Sequence, residues 1–438
     1  INDHREALID LALENGGNTR KDAKFDIDGA TATLAYYARL GRELGDKTYL
    51  EDGEPIRLSR NPRYVGRHIR LPRHGVAVHI NAFNFPAWGL AEKAAVSWLA
   101  GMPVLTKPAT STALVAHRIV EILADVMPAG TLSALIGSTG DLLGHLQHQD
   151  VIAFTGSSGT AQKIRSHANV IAQNIRVNIE ADSLNAAVLG PDVEPGSETW
   201  NLFLSEVTTD MTQKAGQKCT AIRRIFVPTD LMEPARDDLA ADLAQAPVGE
   251  PGERAVRVGP LATKDQQRDI LDGIQRLAGV AQRVYEAAEM VGIEPGQGYF
   301  VPPTLFEVAE NDAADAVHDA EVFGPVATLV PYDGSAAAAV DLVRRGEGGL
   351  VASVYSNDVR FCRDMVFGIG PWHGRLHLAS EKVAAHSPGP GTVLPQMIHG
   401  GPGRAGAGEE LGGVHGMGLY LQRVAVQGAS PILDKIFV

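Results

Sequence analysis

The feature that most constrains this chain is an alternation of short apolar strands with helix-like stretches through residues 75–190. Strand-like runs such as 75–80 (GVAVHI) and 150–156 (DVIAFTG) are separated by helix-like stretches such as 86–101. Apolar strands that alternate with helices are typical of a parallel sheet covered by helices on both faces. We therefore predict an α/β fold, with a second β/α region over about 185–395.

The carboxyl ends of three of these strands mark the first candidate site. Ligands bind at the carboxyl ends of the strands in parallel sheets of this kind, so the segments after His79, Thr106 and Thr155 should share one functional edge. The turn FTGSSGTA (154–161) lies between a strand and a helix, a geometry that holds phosphate on backbone N–H groups. It is neither the P-loop pattern nor a complete GxGxxG, so alone it is a weak signal.

Cys219 lies in a polar, glycine-containing segment, MTQKAGQKCTAIRR (211–224). A thiol becomes a strong nucleophile when nearby cations or backbone N–H groups lower its pKa below about 8.5. Lys214 and Lys218 are close in sequence and are expected to have this effect, and Gly216 permits a tight backbone around the sulfur. The local sequence alone does not separate a reactive cysteine from an incidental exposed one.

Two further polar residues are candidates for chemistry. Glu180 ends the strand-like run 175–180, where desolvation is expected to raise its pKa toward the neutral range that suits a general base. Asn84 lies in the turn before a helix, where its amide could donate to a developing oxyanion. Taken singly, a surface carboxylate and a turn-forming asparagine are the commoner explanations. The fourteen histidines form no ligand set, so no metal is expected.

Composition excludes several classes of protein. The formal net charge of −13 argues against a nucleic acid or an anionic membrane as a partner. Cys219 and Cys362 are too far apart in sequence to suggest a disulfide framework, which favours a reducing, cytoplasmic compartment, and Cys362 lies in an apolar helical pattern typical of a structural residue. No apolar run approaches the roughly 18 residues of a membrane span.

Three segments outside the α/β alternation also carry expectations. A helix-like stretch opens the chain at Ile1 and is ended by Gly16 and Gly17, so we expect the natural N-terminus to be absent. The arginine-rich stretch 55–75 has short strand-like runs and predicts a projecting hairpin. The stretch 399–413 (HGGPGRAGAGEELGG) is too rich in glycine for a helix or strand and is expected to form an ordered loop.

The order of these signals resembles that of the aldehyde dehydrogenase superfamily from about residue 5 onward. The matching features are Asn84 in FNFP, Lys107 in TKPAT, the turn FTGSS, Glu180, Cys219 in GQKCTA, and EVFGP at 321–325. The resemblance implies an aldehyde dehydrogenase-like α/β fold with a parallel Rossmann-type cofactor-binding sheet, an α/β catalytic domain and a small β oligomerisation element. The expected bounds are 1–55 with 76–181 for the cofactor-binding domain, whose N-terminal part is missing, 182–395 for the catalytic domain, and 56–75 with 396–438 for the oligomerisation element.

The resemblance also implies roles for individual residues. Cys219 would attack the aldehyde, Asn84 and the Cys219 backbone N–H would form the oxyanion hole, and Glu180 would activate water to hydrolyse the thioester. Lys107 would contact the adenosine ribose, Ser157 the pyrophosphate, and Glu321 with Phe323 the nicotinamide ribose. The expected cofactor-binding residues are Phe83, Lys107, Thr110, Gly156, Ser157, Gly159, Glu321 and Phe323.

Several positions depart from the family pattern. Thr110 stands where NAD-preferring members usually have a glutamate, and because threonine can donate to a 2′-phosphate that a carboxylate would repel, we expect NADP, with NAD weaker. EADSL replaces the family's ELGGK, so that Asp182 and Leu184 stand in place of a glycine and a lysine. The second glycine of the phosphate turn is displaced to Gly159, and Ala161 takes its usual place.

Two segments, EADSLN (180–185) and 399–413, resemble a narrower branch, the semialdehyde dehydrogenases of aerobic aromatic degradation through CoA thioesters. This resemblance implies oxidation of a CoA-linked aliphatic semialdehyde in benzoate degradation. The alternatives are a different semialdehyde, such as that of phenylacetate breakdown, a CoA-acylating dehydrogenase, or a non-catalytic relative of the fold. The family implies a homodimer or a dimer of dimers, with 56–75 and 419–427 crossing between subunits.

Overall fold

The computed structural model describes residues 1–287, 290–294, 296–309 and 315–437. Within these residues the helices are α1 (Arg5–Gly16), α2 (Arg20–Leu44), α3 (Trp88–Leu99), α4 (Ala113–Ala124), α5 (Leu142–His145), α6 (Ser158–Arg165), α7 (Ala168–Ala172), α8 (Glu198–Thr212), α9 (Met232–Ala244), α10 (Lys264–Ala278), α11 (Asp315–Asp319), α12 (Ala336–Arg344), α13 (Val359–Ile369) and α14 (Ser430–Ile436).

The strands are β1 (Leu50–Glu51), β2 (Ile56–Arg57), β3 (Tyr64–Pro72), β4 (Ala77–Ile80), β5 (Val104–Lys107), β6 (Leu132–Ala134), β7 (Val151–Thr155), β8 (Arg176–Glu180), β9 (Ala186–Leu189), β10 (Arg224–Pro228), β11 (Val248–Gly249), β12 (Gln282–Glu286), β13 (Met290–Val291), β14 (Thr304–Glu307), β15 (Val326–Tyr332), β16 (Gly349–Tyr355), β17 (His373–Ala379), β18 (Ile398–Gly401), β19 (Gly408–Leu411) and β20 (Leu421–Ala429).

A five-stranded parallel sheet with the order β6-β5-β4-β7-β8 forms the first layer. Successive residues of a strand point to opposite faces, and Val151 and Ile152 of β7 accordingly lie in two different cores. Helices α1 to α4 contribute to the first core, and α6 and α7 contribute to the second. Because all the strands run the same way, the carboxyl ends of β4, β5, β7 and β8 meet at one edge, as the sequence predicts.

The second layer is a seven-stranded sheet with the order β12-β14-β15-β10-β9-β16-β17. Its neighbouring strands are parallel except for the edge strand β12, which is antiparallel to β14. Strands β9, β10 and β16 are buried along their whole length, and apart from Arg224 and Ser353 their residues are apolar. Two parallel α/β layers confirm the predicted fold class.

A small antiparallel sheet lies outside these two layers. Strand β3 pairs with β1 and β2 on one side and with the nine residues of β20 on the other. Arginines on β3 meet acidic residues of the preceding segment, since Arg70 Nη2 lies 2.6 Å from Asp52 Oδ1. No helix in the described part of the chain has both the length and the apolar character that crossing a bilayer requires.

The expectation of an ordered loop at 399–413 was wrong, because this segment forms the antiparallel hairpin β18–β19. Gly400 pairs with Glu409, and a Cβ atom on Gly400 would lie 1.9 Å from the carbonyl oxygen of Gly408. A Cβ atom on Gly374 of β17 would lie 1.8 Å from the carbonyl oxygen of Gly400. Glycine is required at these positions because the neighbouring backbones approach too closely for a Cβ atom. In this setting glycine is compatible with a strand.

Specific contacts mark the boundaries of two helices. Thr112 precedes α4 but does not cap it, since its hydroxyl donates to the carbonyl oxygen of Phe83 at 2.7 Å. The end of α1 is as predicted, because Gly17 terminates it in the left-handed conformation with φ of 63°.

Candidate active site

Cys219 lies in the loop between α8 and β10, after a turn with unusual backbone geometry. Lys214, Ala215 and Gly216 all have positive φ, at 55°, 52° and 67°. A Cβ atom on Gly216 would lie 2.2 Å from the carbonyl oxygen of Gly324, so only glycine fits there. The prediction that Gly216 permits a tight backbone near the sulfur is confirmed.

A buried arginine braces this loop. The Arg223 guanidinium donates to the carbonyl oxygens of Gly216 at 3.0 Å, Lys218 at 3.1 Å and Gly324 at 2.7 Å. It also lies 3.3 Å from Oε1 of Glu321. The planar guanidinium thus contacts three carbonyl oxygens and one carboxylate at once. These contacts hold the cysteine loop in a fixed position relative to the segment that carries Glu321. Sequence reasoning did not single out Arg223.

The two lysines near Cys219 do not face its sulfur, so the expectation that they lower its pKa was wrong. Lys218 Nζ donates to Asp210 Oδ1 at 2.6 Å, and both side chains are buried. Lys214 Nζ lies 4.6 Å from the centroid of the Phe85 ring. Desolvation and the charge of Glu180 instead raise the pKa of the Cys219 thiol well above its ordinary value.

A histidine that sequence reasoning did not select reaches both candidate catalytic groups. His399 Nε2 lies 3.1 Å from Glu180 Oε2 and 4.0 Å from Cys219 Sγ. His399 and Glu180 are buried, with 3% and 2% of their surfaces exposed. These three side chains come from β18, β8 and the loop before β10, so the tertiary fold alone brings them together.

The expected rise in the pKa of Glu180 was also wrong. Burial does raise the pKa of this carboxyl, but the charges of His399 and Lys93 outweigh that effect and hold the pKa below its ordinary value. Oε2 is paired with His399, and Oε1 has no hydrogen-bond partner among the described residues. Glu180 is therefore an ionised, buried carboxylate held by His399 on one side and facing the Cys219 thiol.

A second buried charge cluster lies beside Glu180. Lys93 Nζ is 3.1 Å from Glu92 Oε1 and 3.0 Å from Glu410 Oε2, and its side chain is fully buried. Burial raises the pKa of Glu92 to about 7. Glu92 and Lys93 are the charged residues of the otherwise uncharged helix α3, and this pattern is a signal that sequence reasoning could have used.

Asn84 faces the cysteine loop. Its Nδ2 donates to the carbonyl oxygen of Gln217 at 2.9 Å, and only 7% of its surface is exposed. Because an amide nitrogen carries two hydrogens, one remains available to a second acceptor. The predicted catalytic residues Asn84, Glu180 and Cys219 thus lie within one region of the molecule.

Two cavities meet at this region. A smaller one is lined partly by the aromatic residues Phe25, Phe85 and Trp88, and a larger cleft extends past the carboxyl edge of the first sheet. The residues that line both are Ala82, Asn84, Thr155, Glu180 and Cys219. A carbon atom bonded to the Cys219 sulfur could therefore be reached by one ligand in the smaller cavity and by another in the larger cleft.

Five of the predicted cofactor residues line the larger cleft, namely Phe83, Gly156, Ser157, Glu321 and Phe323. The Phe83 and Phe323 rings meet edge to face with centroids 5.9 Å apart. Lys107, Thr110 and Gly159 are not among the lining residues. Lys107 ends β5 and its Nζ donates to the Pro108 carbonyl at 3.1 Å, Thr110 is exposed, and a Cβ atom on Gly159 would meet open space.

The departures after Glu180 have clear structural effects. Asp182 accepts hydrogen bonds from the Ser158 backbone N–H at 3.0 Å and from the Ser158 hydroxyl at 2.6 Å, at the N-terminus of α6. A carboxylate is favoured at this end of a helix. Leu184 is buried, with 2% of its surface exposed, and fills the position of the family's lysine with apolar packing.

Glu321 is held at the far side of the cleft. Its Oε2 accepts from the Ser183 backbone N–H at 3.1 Å, and its Oε1 faces Arg223. Burial raises the pKa of Glu321 to about 7, although Arg223 opposes this effect. Cys362, which the sequence indicated to be structural, lies far from this site on α13, where its Sγ contacts the Ser356 carbonyl oxygen at 3.8 Å.

Comparison with known proteins agrees with this geometry. The model of the aldehyde dehydrogenase family matches residues 1–424. The chain is 46% identical over 403 residues to the 3,4-dehydroadipyl-CoA semialdehyde dehydrogenase of Aromatoleum evansii, covering 91% of this chain and 78% of that protein. It is 38% identical over 179 residues to Protein MaoC of Klebsiella aerogenes, covering 41% of this chain and 52% of that protein.

Solved structures share the fold at low sequence identity. A betaine aldehyde dehydrogenase variant of Staphylococcus aureus in complex with NAD+ has a TM-score of 0.83 and 22% identity, covering 98% of this chain and 81% of that chain. The NAD+ complex of an aldehyde dehydrogenase from Bacillus cereus gives the same TM-score, identity and coverage. From the family match and the arrangement around Cys219, we conclude that this chain belongs to the aldehyde dehydrogenase family.

Proposed function

We propose that this protein oxidises a CoA-linked aliphatic semialdehyde to its carboxylate with NADP as the oxidant, in aerobic benzoate degradation. The observation that carries this proposal is the position of Cys219, Glu180 and Asn84 where two cavities meet. A covalent route needs a nucleophile open to the aldehyde on one side and to the hydride acceptor on the other, and Cys219 has both openings.

The residues of this chain have separate tasks in the proposed reaction. The Cys219 sulfur bonds to the aldehyde carbon, and Asn84 Nδ2 with the Cys219 backbone N–H donates to the oxygen that becomes negative. Glu321 and Phe323 line the cleft where a nicotinamide would be held, and that cofactor would supply the acceptor for the hydride of this carbon, so that Cys219 would carry a thioester. Glu180 then takes a proton from a water molecule that attacks the thioester, and the carbon–sulfur bond breaks to release the acid.

The larger cleft suits a dinucleotide. The turn with Gly156 and Ser157 at the start of α6 fits a pyrophosphate, and the aromatic pair of Phe83 and Phe323 fits the nicotinamide end. Preference for NADP rests on the exposed Thr110, whose hydroxyl donates to the Gly137 carbonyl oxygen over a long 3.4 Å and would donate to a 2′-phosphate instead when NADP binds. Lys107, Thr110 and Gly159 would then contact the adenosine end outside the enclosed part of the cleft.

The substrate class rests on the similarity to the Aromatoleum evansii enzyme, whose name states its substrate. The smaller cavity supports an aliphatic chain, because Phe25, Phe85 and Trp88 give it aromatic walls. A CoA-acylating dehydrogenase is the alternative, but such enzymes typically lack a carboxylate at this position, and the buried, ionised Glu180 counts against it.

The small β sheet is proposed as an oligomerisation element, with 1–55 and 76–181 as the cofactor domain and 182–395 as the catalytic domain. Strand β20 pairs only with β3 within the described residues, so its outer edge is open to a second strand. A homodimer or a dimer of dimers is therefore proposed, and light scattering after size-exclusion chromatography tests it. The free thiols of Cys219 and Cys362 suit a cytoplasmic enzyme.

The deciding experiment follows the absorbance of the reduced cofactor with a linear CoA semialdehyde and with its free-acid counterpart, each with NADP and with NAD. Strong turnover only for the CoA substrate with NADP supports both the recognition of CoA and the preference for NADP. Equal turnover of the free aldehyde would refute CoA recognition while leaving aldehyde oxidation in place. Release of an acyl-CoA that depends on added free CoA would favour the acylating alternative.

A further inference from the structure

The imidazole of His399 is the group that contacts both the proposed nucleophile and the proposed base. We propose that His399 is a positioning residue for both half-reactions: its protonated imidazole donates from Nε2 to Glu180 Oε2, 3.1 Å away, and holds a positive charge 4.0 Å from the Cys219 sulfur. This inference rests on the roles of Cys219 and Glu180 in the proposed function, and it assigns a task to a residue of the glycine-rich hairpin.

The backbone holds His399 at a set distance from Glu180. His399 lies on β18, and the hairpin is tied to β8, the strand that ends in Glu180. The Glu409 backbone N–H donates to Asn178 Oδ1 at 2.9 Å, and the Ala181 backbone N–H donates to the Ala405 carbonyl at 3.0 Å. One of these hydrogen bonds involves a residue before Glu180 and the other a residue after it. The hairpin is therefore fixed to β8 around Glu180, and this fixes the position of the His399 imidazole.

The charges around His399 favour its protonated form. The titratable and charged groups around it are Glu180 on β8, Glu92 and Lys93 on α3, Arg375 on β17, its cross-strand neighbour Glu410 on β19, and the Cys219 thiol. Burial and Arg375 oppose protonation, but Glu180 and Glu92 outweigh them and raise the pKa of His399 above its ordinary value. The imidazolium supplies the positive charge that the sequence had led us to expect from Lys214 and Lys218.

The charge serves the first half-reaction by stabilising the thiolate. The S–H bond of Cys219 breaks, its proton is released to solvent, and the sulfur electron pair forms the bond to the aldehyde carbon. His399 keeps its proton throughout and compensates the negative charge on sulfur before attack. Desolvation and the charges of Glu180, Glu92 and Glu321 disfavour the thiolate, and the imidazolium 4.0 Å from the sulfur is the charge placed to oppose them.

The hydrogen bond serves the second half-reaction by selecting one oxygen of Glu180. Oε2 is held by His399, so Oε1, which has no hydrogen-bond partner among the described residues, is the oxygen that takes the proton of the attacking water. The water O–H bond breaks, the new C–O bond forms, and the C–S bond breaks. The thiolate then reappears beside the imidazolium.

The test uses the whole enzyme and two variants that separate the charge from the hydrogen bond. His399→Phe removes both, and His399→Gln keeps an N–H donor without the charge. His415→Phe is the matched control, because His415 is an exposed histidine of the same C-terminal segment. Intact folding is checked by circular dichroism, and His399→Gln keeps the proposal testable if His399→Phe does not fold.

The first readout is the rate at which iodoacetamide alkylates the enzyme between pH 6 and 9.5 without substrate. A chelator is present, because cysteine, histidine and glutamate together are also zinc ligands. Both His399 variants should react at least about tenfold more slowly near pH 7.5, with their profiles displaced to higher pH, because the thiolate loses the adjacent positive charge. His415→Phe should match the wild type.

The second readout is decay of the acyl-enzyme, followed by intact-protein mass after mixing with a linear aliphatic aldehyde and cofactor. His399→Gln should deacylate faster than His399→Phe, because it still orients Glu180. Alkylation profiles of both variants that coincide with the wild type would overturn the proposal. Undiminished alkylation of Cys219→Ser would identify another reactive thiol and would refute the proposed function itself, which distinguishes the two failures.

Discussion

Lys218 donates to Asp210 at 2.6 Å, and this buried ion pair turns the lysine adjacent to Cys219 away from the sulfur. The lysine therefore stabilises the loop through its pairing with Asp210, and its charge is balanced within that pair. Removal of one partner leaves the other charge buried and unpaired, which typically costs about 3 kcal/mol or more.

We therefore predict that Lys218→Met lowers the free energy of unfolding by about 3 kcal/mol but does not shift the pH profile of thiol alkylation. Lys264→Met is the control, because Lys264 is exposed at the start of α10 and its loss should change neither quantity. Denaturant titration measures the first effect and iodoacetamide the second. A displaced alkylation profile in Lys218→Met would restore the lysine as an activator of Cys219.

Cys219→Ala should abolish aldehyde oxidation while NADP still binds, because the cleft walls made by Ser157, Glu321 and Phe323 are unchanged. Calorimetric titration with NADP and a turnover assay check the two parts. Cys362→Ala should retain turnover, since Cys362 packs on α13 away from the site. Loss of NADP binding together with turnover would contradict the role assigned to Cys219.

Glu180→Gln should slow thioester hydrolysis by about 10²-fold or more, because the amide cannot accept the proton of the attacking water. The acyl-enzyme should therefore accumulate and add the mass of the acyl group to the intact protein. Glu381→Gln, at an exposed position, is the control. Steady-state turnover at the wild-type rate in Glu180→Gln would rule out Glu180 as the base.

Thr110→Glu should reduce the preference for NADP over NAD by about tenfold or more, because a carboxylate repels the 2′-phosphate and accepts from a free ribose hydroxyl. Thr110→Gln introduces a side chain of the same shape as glutamate but without its charge. It should therefore cause a smaller change in the preference for NADP over NAD. The measurement is kcat/KM for each cofactor with one aldehyde. Identical preferences in the wild type and in Thr110→Glu would exclude this position from cofactor selection.

Gly400→Ala should lower the free energy of unfolding by more than about 2 kcal/mol, because its Cβ atom would lie 1.9 Å from the Gly408 carbonyl oxygen at a residue with φ of 136°. The hairpin must move, and His399 moves with it, so turnover should fall as well. Gly418→Ala meets no atom within 4 Å and is the control. Wild-type stability and turnover in Gly400→Ala would show that the close approach is dispensable.

The first sheet was predictable from the sequence because its evidence is local. Alternating apolar strands and helices indicate a parallel sheet whatever the rest of the chain does, and β4, β5, β7 and β8 do align their carboxyl ends. The glycine-rich hairpin was not predictable in the same way. Glycine is typical of loops, and only the close approach of Gly400 to the Gly408 carbonyl oxygen of β19, and of Gly374 on β17 to the Gly400 carbonyl oxygen, shows that the absence of a Cβ atom permits a strand there.

The sequence by itself determined the α/β architecture and selected Cys219, Glu180 and Asn84, because the residue types and their order carry that information. The tertiary structure alone decided the electrostatics. Lys218 is adjacent to Cys219 in sequence yet pairs with Asp210, whereas His399, 180 positions away, contacts the sulfur. Coulombic effects depend on distances between side-chain atoms and on burial, and neither is encoded in the spacing of residues along the chain.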